Sequence, residues 1–406
     1  MLRCGLLGGK LGHSYSAAIH AELGDYEYRL YEKTPEELPA FLTGGSFDGL
    51  NVTIPYKKDV VPYCAELSEA AQRAGCVNTI VRRADGTLFG DNTDLFGFER
   101  MLLSTGVDVR GRKALVFGSG GASGTACEVL CQHGAQVVRI SRSGADNYTN
   151  LDRHADAQVL VNTTPLGMYP NNGVAPVDIS NFPACALVLD VVYNPARTAL
   201  LLQAEALGIP HANGLEMLVA QAVRSSERFT GSTIADGTIA RVTRKMAHTM
   251  QSLVLIGMPG CGKTTVAQAL AARLDRPLLD SDAAVEEAAG CSIPELFRRG
   301  GEAAFRAAET QALRTLSIRS GCVLATGGGC VTREENYPLL HQNSLILWLQ
   351  RDTALLPSDG RPLSQGADLS AMYRQRAPLY ERFADYRIDN NGTLENTLRQ
   401  ILEVLA

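Results

Sequence analysis

The sequence predicts an α/β protein: a mixed α/β unit followed by two units built on parallel sheets. Two Gly-rich segments, Gly118 to Gly124 and Gly257 to Thr265, each follow an apolar strand-like run and open a helical pattern, the arrangement of a βα unit in a parallel sheet. Ahead of them, over residues 1–100, strand-like and helix-like runs alternate. The length of 406 residues, at about 150 per domain, calls for two to three compact units.

Taken in order, the expected strands of the first part are Arg3 to Leu7, Tyr26 to Tyr31 and Asp48 to Thr53. The run Lys113 to Phe117 enters the first Gly-rich turn, a helix is expected through Cys131, and the β-branched run Gln136 to Ile140 supplies the next strand. Helical stretches at Leu215 to Phe229 and Ile234 to His248 are long enough to return and pack on the first part. The run Ser252 to Ile256 enters the second Gly-rich turn, with a helix through Leu274. Any linker at residues 247–251 is therefore very short and lacks Pro or Gly character.

Hydrophobic residues are 45% and charged residues 20%, a globular balance, and 39 glycines exceed the usual share of about 7%. A net charge of −5, from 38 Lys+Arg against 43 Asp+Glu, excludes a dominant polyanion-binding or basic membrane surface. No apolar run approaches the roughly 18 residues of a membrane span, and Met1 to Gly9 is too short for a signal segment; a soluble, cytoplasmic protein acting on small molecules is expected. Ten scattered cysteines without a CxxC pair favour neither a disulfide framework nor a zinc or iron site. Cys127 and Cys131, one helical turn apart, are expected on a buried helix face.

Gly257 to Thr264 fits GxxxxGK[ST] in the strand-to-helix context that this phosphate-binding loop requires. Backbone N–H groups around Gly257, Gly260, Cys261 and Gly262 would curl about the phosphates of ATP. Lys263 would neutralise the β/γ charge and Thr264 would reach Mg²⁺, with Thr265 beside it. Gly118, Gly120 and Gly121 form a looser GxGG signal, with Ser123 in the last glycine column of the dinucleotide pattern. Ser141-Arg142-Ser143 ends the next strand, where an acid would select the 2′-hydroxyl of NAD; serine and arginine suit the 2′-phosphate of NADP. An arginine merely solvated at a strand end is the alternative. On composition alone, Asn51 to Lys57 and Asp91 to Asp94 would pass as ordinary polar turns.

Together with His13 to Ser16 (HSxS), these segments resemble the shikimate dehydrogenase family over residues 1–248. The family's NVTxPxK stands at Asn51 to Lys57, GxxNT at Gly75 to Thr79, NTDxxG at Asn92 to Gly97, NTTPxGM at Asn162 to Met168 and GxxMLVxQA at Gly214 to Ala222. The resemblance implies a substrate-binding domain (1–100 and 214–248) and a Rossmann-type NADP domain (101–213). It implies Ser14, Ser16, Thr53, Lys57, Asn78, Asp94 and Gln221 as substrate ligands, with Lys57 and Asp94 as the catalytic pair. The implied NADP residues are Gly118, Gly120, Gly121, Ala122, Ser123, Ser141, Arg142, Tyr193 and Gly214. Lys10 and Ala17 depart from the family's usual prolines.

Residues 249–406 resemble shikimate kinase, a P-loop kinase domain on a parallel sheet, through Asp280 to Asp282, Gly301-Glu302 leading to Phe305-Arg306, Ala325 to Gly329, Arg361 to Leu363 and Arg376 to Tyr380. The resemblance implies Thr264 and Asp280 as Mg²⁺ holders, Asp282 as the residue that takes the acceptor's proton, and Arg306 and Arg376 as a carboxylate clamp. Gly328 would lie in the site floor and Arg361 would fold over the phosphates of ATP. The stretch Arg351 to Arg361 is short for the family, and the sequence does not single out the basic residue that the family often has on the adenine side. Both halves together imply a bifunctional enzyme that reduces 3-dehydroshikimate with NADPH and then phosphorylates shikimate with ATP. Rival readings are an NAD-dependent quinate/shikimate dehydrogenase half, or one half kept as a regulatory module without turnover.

Overall fold

The computed structural model describes residues 1–12, 14–235, 237–356 and 368–405. The chain forms two compact units, one of Met1–Met168, Val174–Tyr193 and Leu200–Ala247, the other of Tyr169–Gly173, Asn194–Ala199 and His248–Ala406.

The first unit holds two sheets. One contains β1 (Arg3–Gly8), β2 (Glu27–Glu32), β3 (Gly49–Val52), β4 (Glu66–Leu67), β5 (Thr79–Arg82) and β6 (Leu88–Asp91), in the order β2-β1-β3-β5-β6-β4. It is mixed: β1 pairs parallel with β2 and β3, whereas β5 runs antiparallel to both β3 and β6. The other is wholly parallel, with β7 (Lys113–Phe117), β8 (Gln136–Ile140), β9 (Val159–Asn162), β10 (Leu187–Asp190) and β11 (His211–Asn213) in the order β11-β10-β9-β7-β8. Every residue of β9 and β10 is buried, as expected of parallel strands covered on both faces.

Helix Leu215–Thr230 returns to the first sheet, where Phe229 packs with Cys4 and Tyr26. Gly49 makes room for it, because a Cβ there would lie 2.3 Å from the Phe229 ring. The same helix crosses helix Asp94–Ser104 at Gly97, whose Cβ would meet the Met217 carbonyl at 2.6 Å. Both crossings hold the polar face of Leu215–Thr230 over the first sheet.

The second unit is built on a parallel sheet of β12 (Ser252–Ile256), β13 (Leu278–Asp280), β14 (Val323–Ala325), β15 (Ser344–Gln350) and β16 (Tyr386–Asp389), ordered β13-β14-β12-β15-β16. β7 and β12 are each flanked by strands whose connections leave in opposite directions. Their C-terminal ends are therefore topological switch points, where open α/β sheets bind ligands, and both Gly-rich turns begin there.

Three expectations need correction. The second long helix starts at Thr238, not Ile234. Gly231 ends the preceding helix in the left-handed region, and the Ile234 N–H is taken by the Glu227 carboxylate instead of a helical carbonyl. This helix then continues to Met250, so Gln251 alone separates it from β12. Cys131 is exposed and Cys127 half-buried; the buried face of their helix runs through Ser123, Ala126, Val129 and Leu130, which turns the cysteines to its edge. Among the described residues no helix is long and apolar enough to cross a membrane.

Candidate functional site

In the first unit a cavity of 470 Å³ is lined by Ser14, Ser16, Thr53, Lys57, Asn78 and Gln221, with Met168 and Tyr193. Beside it a groove of 710 Å³ follows the first Gly-rich turn. Lys57 lines both, so its ammonium stands where a molecule in one would meet a molecule in the other. Thr53 and Lys57 leave the end of β3, Asn78 precedes β5, Asp94 opens helix Asp94–Ser104, and Gln221 projects from Leu215–Thr230.

Lys57 Nζ donates to Asp94 Oδ2 at 2.6 Å. Asp94 is buried and sits in the first turn of its helix, where the helix dipole favours a carboxylate; its own N–H is held by Asn92 Oδ1 at 3.0 Å. Asn78 Oδ1 accepts the Thr93 backbone N–H at 2.8 Å, which fixes the amide so that Nδ2 donates to Asp94 Oδ1 at 3.0 Å and to Gln221 Oε1 at 3.0 Å. With its oxygen used in this way, Gln221 offers the cavity an N–H donor. Asp91, the other carboxylate of the turn, belongs to the scaffold: Arg228 Nε pairs with it at 2.7 Å and the Ser68 hydroxyl donates to it.

The groove is lined by Gly118, Gly120, Gly121, Ala122, Ser141, Arg142 and Tyr148. Gly118 has φ +128°, and a Cβ there would lie 2.5 Å from Thr163 Oγ1, so only glycine fits. Ser123 is buried behind the turn and donates to the Gly118 carbonyl at 2.9 Å. Helix Gly121–Gln132 starts at the groove, presenting free N–H groups suited to phosphate. Lys57 and Arg142 are the cations along it, and among the described lining residues no carboxylate opposes them. Tyr193 is placed on the 470 Å³ cavity, edge-on to Tyr15 at 6.3 Å, and Gly214 lines neither space. A Cβ at Gly214 would lie 2.0 Å from the Val191 carbonyl oxygen, which makes it a packing glycine.

In the second unit a cavity of 470 Å³ brings together Gly260, Gly262, Lys263, Thr264, Thr265, Asp280, Asp282, Arg306, Gly328 and Arg376. Gly257, Gly260 and Gly262 all have positive φ; Gly257 and the buried Cys261 shape the loop from behind. Lys263 is buried and donates to the Gly257 and Met258 carbonyls at 2.9 and 3.0 Å. Thr264 Oγ1 lies 3.5 Å from Asp280 Oδ2. Asp280 Oδ1 caps helix Ser281–Ala289 by accepting the N–H of Asp282 at 2.9 Å. Arg376 Nη1 donates to the Gly328 carbonyl at 3.2 Å.

Arg306 is held by two acids: Nη1 donates to Glu309 at 2.7 Å, and Nη2 and Nε to Glu302 at 3.2 and 3.3 Å. Three of the guanidinium's five N–H donors are used in this way, leaving its outer fork for a ligand. Glu309 is fully buried; burial pushes its carboxyl above the usual range, against the pull of Arg306. The run of three glycines is explained by these contacts. A Cβ at Gly327 would strike Glu309 at 2.3 Å, at Gly328 Pro259 at 2.7 Å, and at Gly329 the Arg306 guanidinium at 2.1 Å. His13 and Arg361 lie outside the described residues.

The family model for the shikimate dehydrogenase substrate binding domain matches residues 6–80, and that for shikimate kinase residues 259–406. A shikimate dehydrogenase (NADP(+)) of Clostridium beijerinckii is 35% identical over 246 residues, which are 55% of this chain and 90% of that protein. The chain belongs to the shikimate dehydrogenase family. The solved structure of shikimate dehydrogenase 1 from Peptoclostridium difficile superposes with a TM-score of 0.56 at 33% identity, over 61% of this chain and 98% of that one. The shikimate 5-dehydrogenase of Thermus thermophilus, solved in complex with NADP(H) and shikimate, gives a TM-score of 0.55 at 31% identity, over 60% and 99%. With a shikimate kinase domain behind the dehydrogenase, the chain is a bifunctional enzyme of the shikimate pathway.

Residues beyond those singled out from sequence complete both sites. In the dehydrogenase, Asn51 and Ser225 support Asn78 from below through Thr79. In the kinase domain, Glu309 holds Arg306; its signal is the spacing of three positions from Arg306 on a helix, which puts both on one face.

Proposed function

We propose that the dehydrogenase part reduces 3-dehydroshikimate to shikimate with NADPH, and that the kinase part transfers the γ-phosphoryl group of ATP to shikimate to give shikimate 3-phosphate. Residues 1–100 with 214–248 would bind 3-dehydroshikimate, 101–213 NADP(H), and 249–406 ATP and shikimate. The observation that carries the first reaction is Lys57, paired with Asp94 and facing both cavity and groove.

Bound NADPH supplies a hydride to the ketone carbon. The alkoxide that forms is protonated by the Lys57 ammonium, which Asp94 orients and whose charge it balances. Ser14, Ser16, Thr53, Asn78 and Gln221 then hold the hydroxyls and carboxylate of the ring. Arg142 with Ser141 suits the 2′-phosphate. Arg142→Ala is expected to cut the preference for NADPH over NADH at least about tenfold, since a charge-assisted hydrogen bond is worth about 1.5–3 kcal/mol. Parallel kcat/KM measurements with both cofactors check it, and an unchanged ratio contradicts it.

In the kinase part, Lys263 neutralises the phosphates and the loop N–H groups cradle them. The Thr264 hydroxyl and the Asp280 carboxylate converge at the loop, hard oxygen donors of the kind Mg²⁺ prefers; they would hold the ion, which shields the charge on the transferred group. Asp282 takes the proton of the attacking hydroxyl. Arg306 and Arg376 grip the carboxylate of shikimate, a task for planar guanidinium forks. Arg306→Lys is expected to raise KM for shikimate at least about tenfold with a smaller change in kcat. An unchanged KM in a steady-state assay would remove the arginine from this role.

The reading as a whole is tested by supplying the purified full-length chain with 3-dehydroshikimate and NADPH, and separately with shikimate and MgATP. Turnover in both assays is expected; failure of either removes that half of the proposal.

A further inference from the structure

Beneath the dehydrogenase cavity a chain of side-chain hydrogen bonds runs through the protein interior. The Tyr28 phenol donates to Asn51 Oδ1 at 2.8 Å. Asn51 Nδ2 donates to Ser225 Oγ at 2.7 Å, and the Ser225 and Thr79 hydroxyls lie 2.8 Å apart. Thr79 Oγ1 donates to Asn78 Oδ1 at 3.1 Å. From Asn78 the chain passes to Asp94 and Lys57. At its other end the phenol ring packs against helix Ser16–His20 through the stacked His20 ring.

Asn51 Nδ2 can only donate, so Ser225 Oγ accepts from it; Thr79 gives its one hydrogen to Asn78 Oδ1, so the Ser225 hydroxyl, which also lies 2.9 Å from the Gln221 carbonyl, donates to Thr79. Asn78 Oδ1 already accepts a backbone N–H, so its Nδ2 faces Asp94. Thr79 and Ser225 are fully buried, and Asn51 and Asn78 are buried at the cavity wall, so a link lost at Thr79 or Ser225 leaves a buried polar group without its partner. Behind Tyr28, the His20 ring stacks on the phenol ring at 4.0 Å and its Nδ1 meets Tyr26 Oη at 2.6 Å. Burial lowers the His20 pKa to about 3, so the ring stays neutral and adds no charge beneath the cavity. Neither Tyr28 nor Ser225 lines the cavity.

We infer that Tyr28 and Ser225 are positioning residues for the reduction, joined through Asn51 so that the Ser14 to Ser16 segment and the Asn78, Asp94 and Lys57 group are held in one register. The inference rests on the proposal that this cavity takes 3-dehydroshikimate. Ser225 acts on the reacting pair through Thr79 and Asn78, and Tyr28 acts through His20 on the helix that carries the substrate-holding Ser16. Loss of the first should therefore appear in kcat, and loss of the second in KM.

The test is a double-mutant cycle on the full-length chain with Tyr28→Phe and Ser225→Ala, reading kcat and KM for 3-dehydroshikimate at saturating NADPH, alongside the thermal midpoint. Ser225→Ala is expected to lower kcat about tenfold with KM within about twofold, and Tyr28→Phe to raise KM about fivefold, with the double variant losing at least about threefold less kcat/KM than the product of the single losses, as members of one network do. Ser225→Thr, which keeps the hydroxyl, should recover most of kcat. Losses that multiply within about twofold, as independent sites give, or a fall in thermal midpoint with kcat unchanged, overturn the inference. Thr79→Val cuts the same chain one link further on, and its cycle with Tyr28→Phe applies the same criterion if Ser225→Ala folds poorly. Absence of turnover in the unmodified chain would instead strike the substrate reading, so the two failures are distinct.

Discussion

Lys57→Ala is expected to lose dehydrogenase turnover by about 10² to 10⁴, the usual worth of a positioned proton donor, while phosphorylation of shikimate by the same preparation is unchanged. The ammonium is the one cation shared by the cavity and the groove among the described residues, and Asp94 holds it at 2.6 Å. Truncation removes the proton donor and leaves the buried Asp94 carboxylate with Asn78 Nδ2 as its remaining side-chain donor among the bonds described. Substrate binding should persist, because Ser14, Ser16, Thr53 and Gln221 stay in place. The signature is thus a collapse of kcat with KM changed by much less. Unchanged kcat would remove Lys57 from the reaction.

Lys263→Ala should produce the complementary loss. Its ammonium lies buried in the loop, bonded to the Gly257 and Met258 carbonyls, and no arginine or lysine other than Arg306 and Arg376 lines that cavity among the described residues. Removing an electrostatic group aimed at developing charge costs about 10² to 10³ in turnover, and here the loop also loses the cation that draws its carbonyls together. Phosphoryl transfer from ATP should fall by at least that factor, with reduction of 3-dehydroshikimate untouched. A chain that still phosphorylates shikimate at the original rate would contradict the phosphate-loop assignment.

The parts legible in sequence were those fixed by local covalent demands. Glycines at positive φ, such as Gly118, Gly257 and Gly262, announce phosphate-sized turns because other residues are strained there. Apolar five-residue runs entering those turns, with a helical pattern after them, read as buried parallel strands. What escaped was set by long-range contact. Asn51 meets Ser225 across 174 positions, and a serine in an amphipathic helix carries no sign of such a partner. Glu309 reads as one more charged residue on a helix until the fold buries it against Arg306. Asp91 and Asp94 are equivalent as letters; Arg228, on a distant helix, claims the first and leaves the second to Lys57. Tyr193 illustrates the same limit, since its place on the substrate cavity instead of the cofactor groove depends on where the strand Leu187–Asp190 ends.

The most direct test of the central claim is one coupled assay on the purified full-length chain, given 3-dehydroshikimate, NADPH and MgATP together, with NADPH loss and phosphate-ester formation followed in the same vessel. Loss of NADPH accompanied by shikimate 3-phosphate is the predicted result, with the Lys57→Ala chain showing neither from 3-dehydroshikimate yet still phosphorylating added shikimate. NADPH loss with shikimate accumulating unphosphorylated, or no NADPH loss at all, would contradict it.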